Sequence, residues 1–426
     1  MNGDSTLELI LKDILLAINP SREDWSARFH TISELRAIIE SIDSLRGATL
    51  EPFGSFASNL FTRWGDLDIS VKLQNGSNIA CLGRKHKQIL LRDILKALRK
   101  KYGWGRIQFI SNARVPILKL VSSYGISCDI SIDNSCGQMK SKLLFSISEM
   151  DGRFRDLVLL VKEWAKAHNI NDPKSGSLNS YCLSLLVVYH LQTVEPAILP
   201  PLREIYPGNL VDDLTGMRTV AVKRIEDICA VNINRLKSDR SRLINRCSLA
   251  ELFISFLAKF AYICSRASEQ GISTFSGRLE DIYSNMRWLP NTCPLFVEDP
   301  FEQPANAART VGGNQMTMIV EAIQGTQSII LSPRQKNHTA VVSVLVRSDI
   351  SHSVARQPIA NSATVQSLAR NPATDHSRND PSNHLQAQRK QMSLHVVKPS
   401  QAFSSQRQEN VFEDLRRLLR ELHSDD

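Results

Sequence analysis

The chain has 426 residues, 42% of them hydrophobic, and carries 52 Lys and Arg against 43 Asp and Glu, a formal net charge of +9. That length and apolar content suit two or three domains with real cores, and the basic balance suits an anionic partner such as nucleic acid while leaving membrane lipid open. No run approaches the roughly 18 uninterrupted apolar residues of a membrane span, and the opening MNGDSTLELILKDILLAI lacks the basic start of a secretion signal. The expectation is therefore an intracellular protein, cytoplasmic or nuclear, with no membrane partner.

Apolar residues recur at helical spacing first at Leu7, Ile10, Leu11, Ile14 and Leu15, then at Phe29, Ile32, Leu35, Ile38 and Ile39, with Pro20-Ser21 breaking the two helices. Next comes FGSFASNLFTRWGDLDISV, residues 53–71. Its Gly54-Ser55 pair offers a close-approach backbone and a hydroxyl that suit a phosphate. Asp66 and Asp68, one residue apart on a strand, point to one face and can share a cation; an isolated pair of this kind is more often an ordinary solvated strand face. After a helix in ILLRDILKALRKKYG come three β-like runs, around Ile107, over 115–121 and over 126–132, the last two joined by the turn SSYG.

The final run, ISCDISID, brings a third acid, Asp129, flanked by apolar residues, where a carboxylate is costly unless paired or metal-bound. Three acids on adjacent strands can hold two Mg²⁺ about 3.5–4 Å apart, the arrangement that activates an attacking hydroxyl and steadies departing pyrophosphate. In that reading Asp66 and Asp68 bind both ions, while Asp129 binds the one carrying the acceptor 3′-hydroxyl and helps remove its proton. Residues 49–140 thus read as a small α/β unit and 141–312 as a helical one. Beyond Gly312 one further helix, MTMIVEAI, is possible; residues 313–408 read as a mostly disordered linker, with Ala355 to Gln391 rich in Ser, Asn, Gln and Pro. The eight scattered cysteines form no CxxC pair and read as free thiols in a reducing compartment.

Taken together, FGS at 53–55, GDLD at 65–68, CDISIDN at 128–134 and EDPFEQPANAART at 298–310 resemble the DNA-polymerase-β-like nucleotidyltransferases. The likeness is to the terminal uridylyltransferase and cytoplasmic-type poly(A) polymerase group. The stretch 128–172 is most similar to the plant enzymes that add uridines to unmethylated small RNAs. The resemblance covers about residues 1–312. It implies an α+β fold: a polymerase-β-like palm, a helical PAP-associated domain, and N-terminal helices (1–48) packing with that helical domain. It also implies template-independent addition of UMP from UTP to RNA 3′ ends, with two Mg²⁺ or Mn²⁺ ions.

By the same resemblance Lys162 and Lys166 reach the β- and γ-phosphates, Ser180 touches phosphate, and Tyr181 stacks on the base, which alone selects none. Asp299 and Glu302 approach the Watson–Crick edge. Ala305 stands where relatives that prefer UTP often carry His, and Lys140 where some carry an Asn for the ribose 2′-hydroxyl, with Ser141 within reach of the pyrimidine. On residue patterns alone, Lys162 and Lys166 read as an exposed helix face and Tyr181 as a core aromatic. The alternatives are a poly(A) polymerase on the same chemistry and, in a different class, an RNA-binding adaptor on an inactive scaffold. A 2′–5′ oligoadenylate synthetase-like sensor is disfavoured by the EDPFE loop.

The chain ends in ENVFEDLRRLLRELHSDD, where Val411, Phe412, Leu415, Leu418, Leu419 and Leu422 form one stripe behind an Asn410 cap. This predicts an amphipathic helix over 409–423 that docks either on the chain's own helical domain or on a partner holding the RNA, such as an Argonaute-type carrier. Truncation after Ser332 is accordingly expected to spare extension of free RNA.

Overall fold

The computed structural model describes residues 2–73, 83–288, 293–332 and 338–354. The amphipathic stripe at 409–423 and the polar stretch from Ala355 lie outside the described residues. The chain divides into units 1–357 and 358–426.

Two helices come first, α1 (Asn2–Ile18) and α2 (Arg22–Glu40), the second opened by a reciprocal cap between Ser21 and Asp24. The palm follows: β1 (Thr49–Phe53), the short α3 (Gly54–Ala57), β2 (Leu67–Lys72), α4 (Arg84–Arg99), β3 (Gly105–Ile110), β4 (Ile117–Val121) and β5 (Ser127–Ile132). Its five strands run in the order β1-β2-β5-β4-β3, with β2 and β5 parallel and the other pairs antiparallel. The SSYG turn joins β4 to β5 as its composition predicts, closed by bonds between Ser122 and Ile126 and from Gly125 to Ser122. Alternation along β2 and β5 sends Leu67, Ile69, Val71, Cys128, Ile130 and Ile132 into the core and leaves Asp68 and Asp129 on the other face.

The helical part comprises α5 (Ser135–Ser148), α6 (Gly152–Ala167), α7 (Ser180–Thr193), α8 (Leu210–Asp213), α9 (Arg218–Ser238) and α10 (Leu249–Ser265). After α10 come the hairpin β6 (Gln270–Ser273) with β7 (Arg278–Asp281) and then α11 (Gly313–Ile330), α12 (His338–Leu345) and α13 (Ser348–Val354). Helix α7 is buried from Cys182 through Gln192, which its uncharged sequence permits.

Two expectations change. Only α1 packs with the helical part, against α6, α10 and α13; α2 lies on the palm, against α4 and β1. The cause is Trp25, which enters an aromatic cluster with Phe29, Phe56 and Phe61, and Arg28, whose buried guanidinium donates to the Arg63 and Gly65 carbonyls. Residues 313–332 and 338–354, read as mostly linker, carry three helices, and Ile319, Ile323, Val342, Leu345, Val346 and Ile350 join the main core. Arg347 also pairs with Glu163, which is 0% exposed on α6, at 2.9 Å.

Truncation after Ser332 should therefore unfold or inactivate the protein, since stranding a buried carboxylate alone costs about 3–5 kcal/mol. Truncation after Gln357 should leave the melting temperature of the full chain within about 2 °C, a shift corresponding to roughly 1.5 kcal/mol or less for a chain of this size. Thermal melts of the three proteins check both outcomes.

Candidate active site

The end of β1 turns sharply at Gly54, whose φ of +67° suits glycine. A Cβ there would lie 2.0 Å from Asp68 Oδ2, so the backbone presses directly on that carboxylate. The Gly54 N–H donates to Ser141 Oγ at 2.7 Å, which pins this turn to α5. Across the sheet, register sets Phe53, Asp68, Asp129 and Lys119 in one row, with Asp66 just before β2. The Lys119 ammonium lies 3.3 Å from Asp66 and 3.2 Å from Asp129.

This row is short of positive charge. Burial, then the Asp129 and Asp66 carboxylates, push Asp68 up to about 7. Burial also raises Asp129 despite the attraction of Lys119, and its buried Oδ1 meets the Lys119 ammonium at 3.2 Å without forming an aligned hydrogen bond. Among the described residues the acids are not already drawn together as a ligand set; a lysine ammonium stands among them. Hard carboxylate oxygens from three acids that share a single ammonium, one of them reluctant to ionise, fit divalent cations of the magnesium type.

Opposite the acids, α6 presents Lys162 and Lys166, one turn apart. Lys162 donates to the Leu60 carbonyl at 2.7 Å, and burial with the nearby Lys166 pulls it down to about 7. Burial lowers Lys166 as well. Both lysines border a cleft of about 510 Å³, which Gly54, Ser55, Asp66, Asp68, Ser141, Ser180 and Tyr181 also line. Asn179 caps α7 and donates to the Ala307 carbonyl, setting Ser180 and Tyr181 at the mouth of that helix. Ser180 is held by Asn171 at 3.2 Å.

Asp299 and Glu302 do not line this cleft; they stand behind Lys140, which does. Lys140 Nζ bonds to Asp299 and lies 3.0 Å from Glu302. Tyr181 donates its hydroxyl to Asp299 at 2.9 Å, and Cys136 and Arg114 donate to Glu302. Burial works against the Glu302 charge, yet Lys140 and these donors hold its pKa down to about 2. The loop itself is tight: Asp299 N–H donates to the Ala305 carbonyl, and Ala305 N–H to that of Glu302.

Sequence reasoning did not single out Lys119, Arg28, Arg114 or Arg347. Lys119 was within reach, because pairing outward from the SSYG turn places it opposite Asp129; the other three act over long sequence separations that no local pattern signals.

Asp66→Ala, Asp68→Ala and Asp129→Ala should each cut nucleotide addition at least roughly 100-fold while the protein stays folded, and Lys166→Ala should raise the KM for the nucleotide. Full activity in any aspartate variant would remove that residue from the site. Asp68→Asn should go further and stabilise the fold. Because the Asp68 pKa rises on folding from 3.8 to about 7, its charge costs stability increasingly as pH climbs through that interval. Thermal melts in chelator should show Asp68→Asn gaining over the unsubstituted chain at pH 8 and not at pH 4.

Comparison with known proteins agrees with this architecture. The family described as "Poly(A) RNA polymerase, mitochondrial-like, central palm domain" matches residues 7–149. The chain is 54% identical over 357 residues to Protein HESO1 of Arabidopsis thaliana, covering 84% of this chain and 70% of that protein. It is 28% identical to Poly(A) RNA polymerase cid11 of Schizosaccharomyces pombe over 70% of this chain and 57% of the other. The fold matches a solved Cid1 poly(U) polymerase with a TM-score of 0.63 at 24% identity, over 80% of this chain and 99% of that one. The chain belongs to the polymerase-β-like RNA nucleotidyltransferases, in the group that holds the terminal uridylyltransferases and the cytoplasmic-type poly(A) RNA polymerases.

Proposed function

We propose that this RNA 3′-terminal uridylyltransferase acts on small RNAs or RNA fragments and marks them for decay. The observation that carries the catalytic reading is the cleft: acids of the palm face paired lysines of α6 across about 510 Å³, room for one nucleoside triphosphate. Asp66, Asp68 and Asp129 would hold Mg²⁺ or Mn²⁺, which when bound neutralises the carboxylate row and activates the acceptor hydroxyl. Lys162 and Lys166, their pKa values lowered by burial, regain full charge against the β- and γ-phosphates, and Gly54 and Ser55 bring backbone and hydroxyl to the same chain of phosphates. Tyr181, tethered through its hydroxyl to Asp299, gives the base a flat face at fixed orientation.

The small-RNA acceptor is supported by the 54% identity to HESO1 together with the resemblance of residues 128–172 to plant small-RNA enzymes. The leucine stripe at 409–423 supports docking to a carrier of the Argonaute type, with a long polar tether raising local concentration. Cytoplasmic or nuclear residence, in RNA silencing, goes with this role.

Extension of a 3′-labelled RNA with each of the four nucleotides tests the reading. UTP should be preferred, and a preference for ATP would make the enzyme a poly(A) polymerase. Truncation after Gln357 should leave tailing of free RNA unchanged and lower tailing of RNA held by its carrier; equal tailing of both would leave the C-terminal stripe with no part in targeting.

A further inference from the structure

Asp299 and Glu302 have almost no acceptor capacity to offer a nucleotide. Asp299 Oδ1 takes the Tyr181 hydroxyl at 2.9 Å and the Phe301 and Glu302 N–H groups at 3.1 and 3.3 Å, while Oδ2 takes Lys140. Glu302 Oε1 takes the Cys136 thiol at 2.7 Å and lies 3.0 Å from Lys140; Oε2 takes Arg114. A carboxylate has about four lone-pair sites, two on each oxygen, so Asp299 Oδ1 and Glu302 Oε1 are filled and one buried site is left on the other oxygen of each acid. The two negative charges are matched by Lys140 and Arg114, and both acids are 8% exposed or less.

What borders the cleft is the lysine in front of them. An ammonium carries three N–H donors and no acceptor; two are spent on Asp299 and Glu302, which leaves one. Lys140 Nζ also lies over the Tyr181 ring, 5.0 Å from its centroid, so a base stacked on that face comes within reach of it. Because its neighbours fix it and its charge is already balanced, the head is a placed donor rather than a mobile counter-ion.

Resting on the uridylyltransferase reading, we propose that Lys140 is a specificity-determining residue that donates its remaining N–H to the 4-carbonyl of uracil. The 4-amino group of cytosine and the 6-amino group of adenine would turn a donor against that donor. Guanine shares a carbonyl at the matching position and is separated by size alone. Selectivity for uracil is then exerted through a cation braced by the loop acids, from a position on α5, and it does not require a larger side chain at Ala305.

Cytosine is the informative competitor, since it matches uracil in size and differs at the edge in question. In the full-length chain, Lys140→Met should lower the ratio of kcat/KM for UTP over CTP by roughly 10-fold or more, the scale of a hydrogen bond to a charged group. The loss should fall mainly on the KM for UTP, and Lys140→Arg should restore much of the ratio. Because Lys140→Met also strips a cation from two buried acids, a second measurement uses the unsubstituted chain: 4-thio-UTP, whose sulfur is a poor acceptor, should be used several-fold less well than UTP. An unchanged UTP-to-CTP ratio in folded Lys140→Met, or equal use of UTP and 4-thio-UTP, overturns the assignment. A preference of the unsubstituted chain for ATP would instead overturn the uridylylation reading on which it rests.

Discussion

Like-charge repulsion on the open face of the palm is the constraint around which this structure is arranged. Parallel pairing of β2 with β5 puts Asp68 beside Asp129, with Asp66 two residues upstream of Asp68, and nothing in strand geometry lets them move apart. Burial makes the repulsion stronger because water cannot screen it. The surroundings respond with Lys119 on the neighbouring strand, and with lysines on α6 whose own charges are weakened by burial. Each side of the cleft holds charge at a cost to stability, and an anionic nucleotide carrying divalent cations offsets both costs at once. The site is thus complementary to its ligand through what it lacks on its own.

That arrangement depends on ties between the palm and the helices. Ser141 of α5 holds the Gly54 turn, Lys162 of α6 holds the Leu60 carbonyl, and Arg218 of α9 pairs at 2.8 Å with Asp133 just after β5, both side chains nearly buried. The first two contacts sit in the wall of the cleft, and all three are formed by charged or hydroxylic groups whose partners are backbone or a single carboxylate. Directional bonds of this kind fix position better than apolar packing does, and here they fix the distance between acids and lysines.

Much of this was legible in the chain. Period-two alternation through LDISV and ISCDISI identified the two strands and the acids on their shared face, and the SSYG turn set the hairpin register. The legible parts are those in which a local period and a local turn agree. Helix α2 was legible as a helix, but its destination was not, because Trp25 and Arg28 find their partners in the loop before β2. Helices α12 and α13 escaped because they are short and their apolar residues are interleaved with Ser and His. Lys140 was visible as a departure from the family pattern. Its setting was not, since the Asp299, Glu302, Arg114 and Tyr181 that surround it come from three other parts of the chain.

The bond between Glu163 and Arg347 spans 184 residues, and this has a consequence for how the protein is made. During synthesis α6 leaves the ribosome long before its guanidinium partner, so the nascent helix must wait with an unmatched acid on a face destined for the interior. Late-closing contacts of this kind slow folding and prolong exposure of apolar surface. A prematurely terminated message ending between Lys166 and Arg347 would yield a polypeptide that bears every acid and lysine of the cleft and still lacks the partner needed to seal the core behind Lys166. Such a product is a natural target for quality control and is poorly suited to acting as an unregulated enzyme.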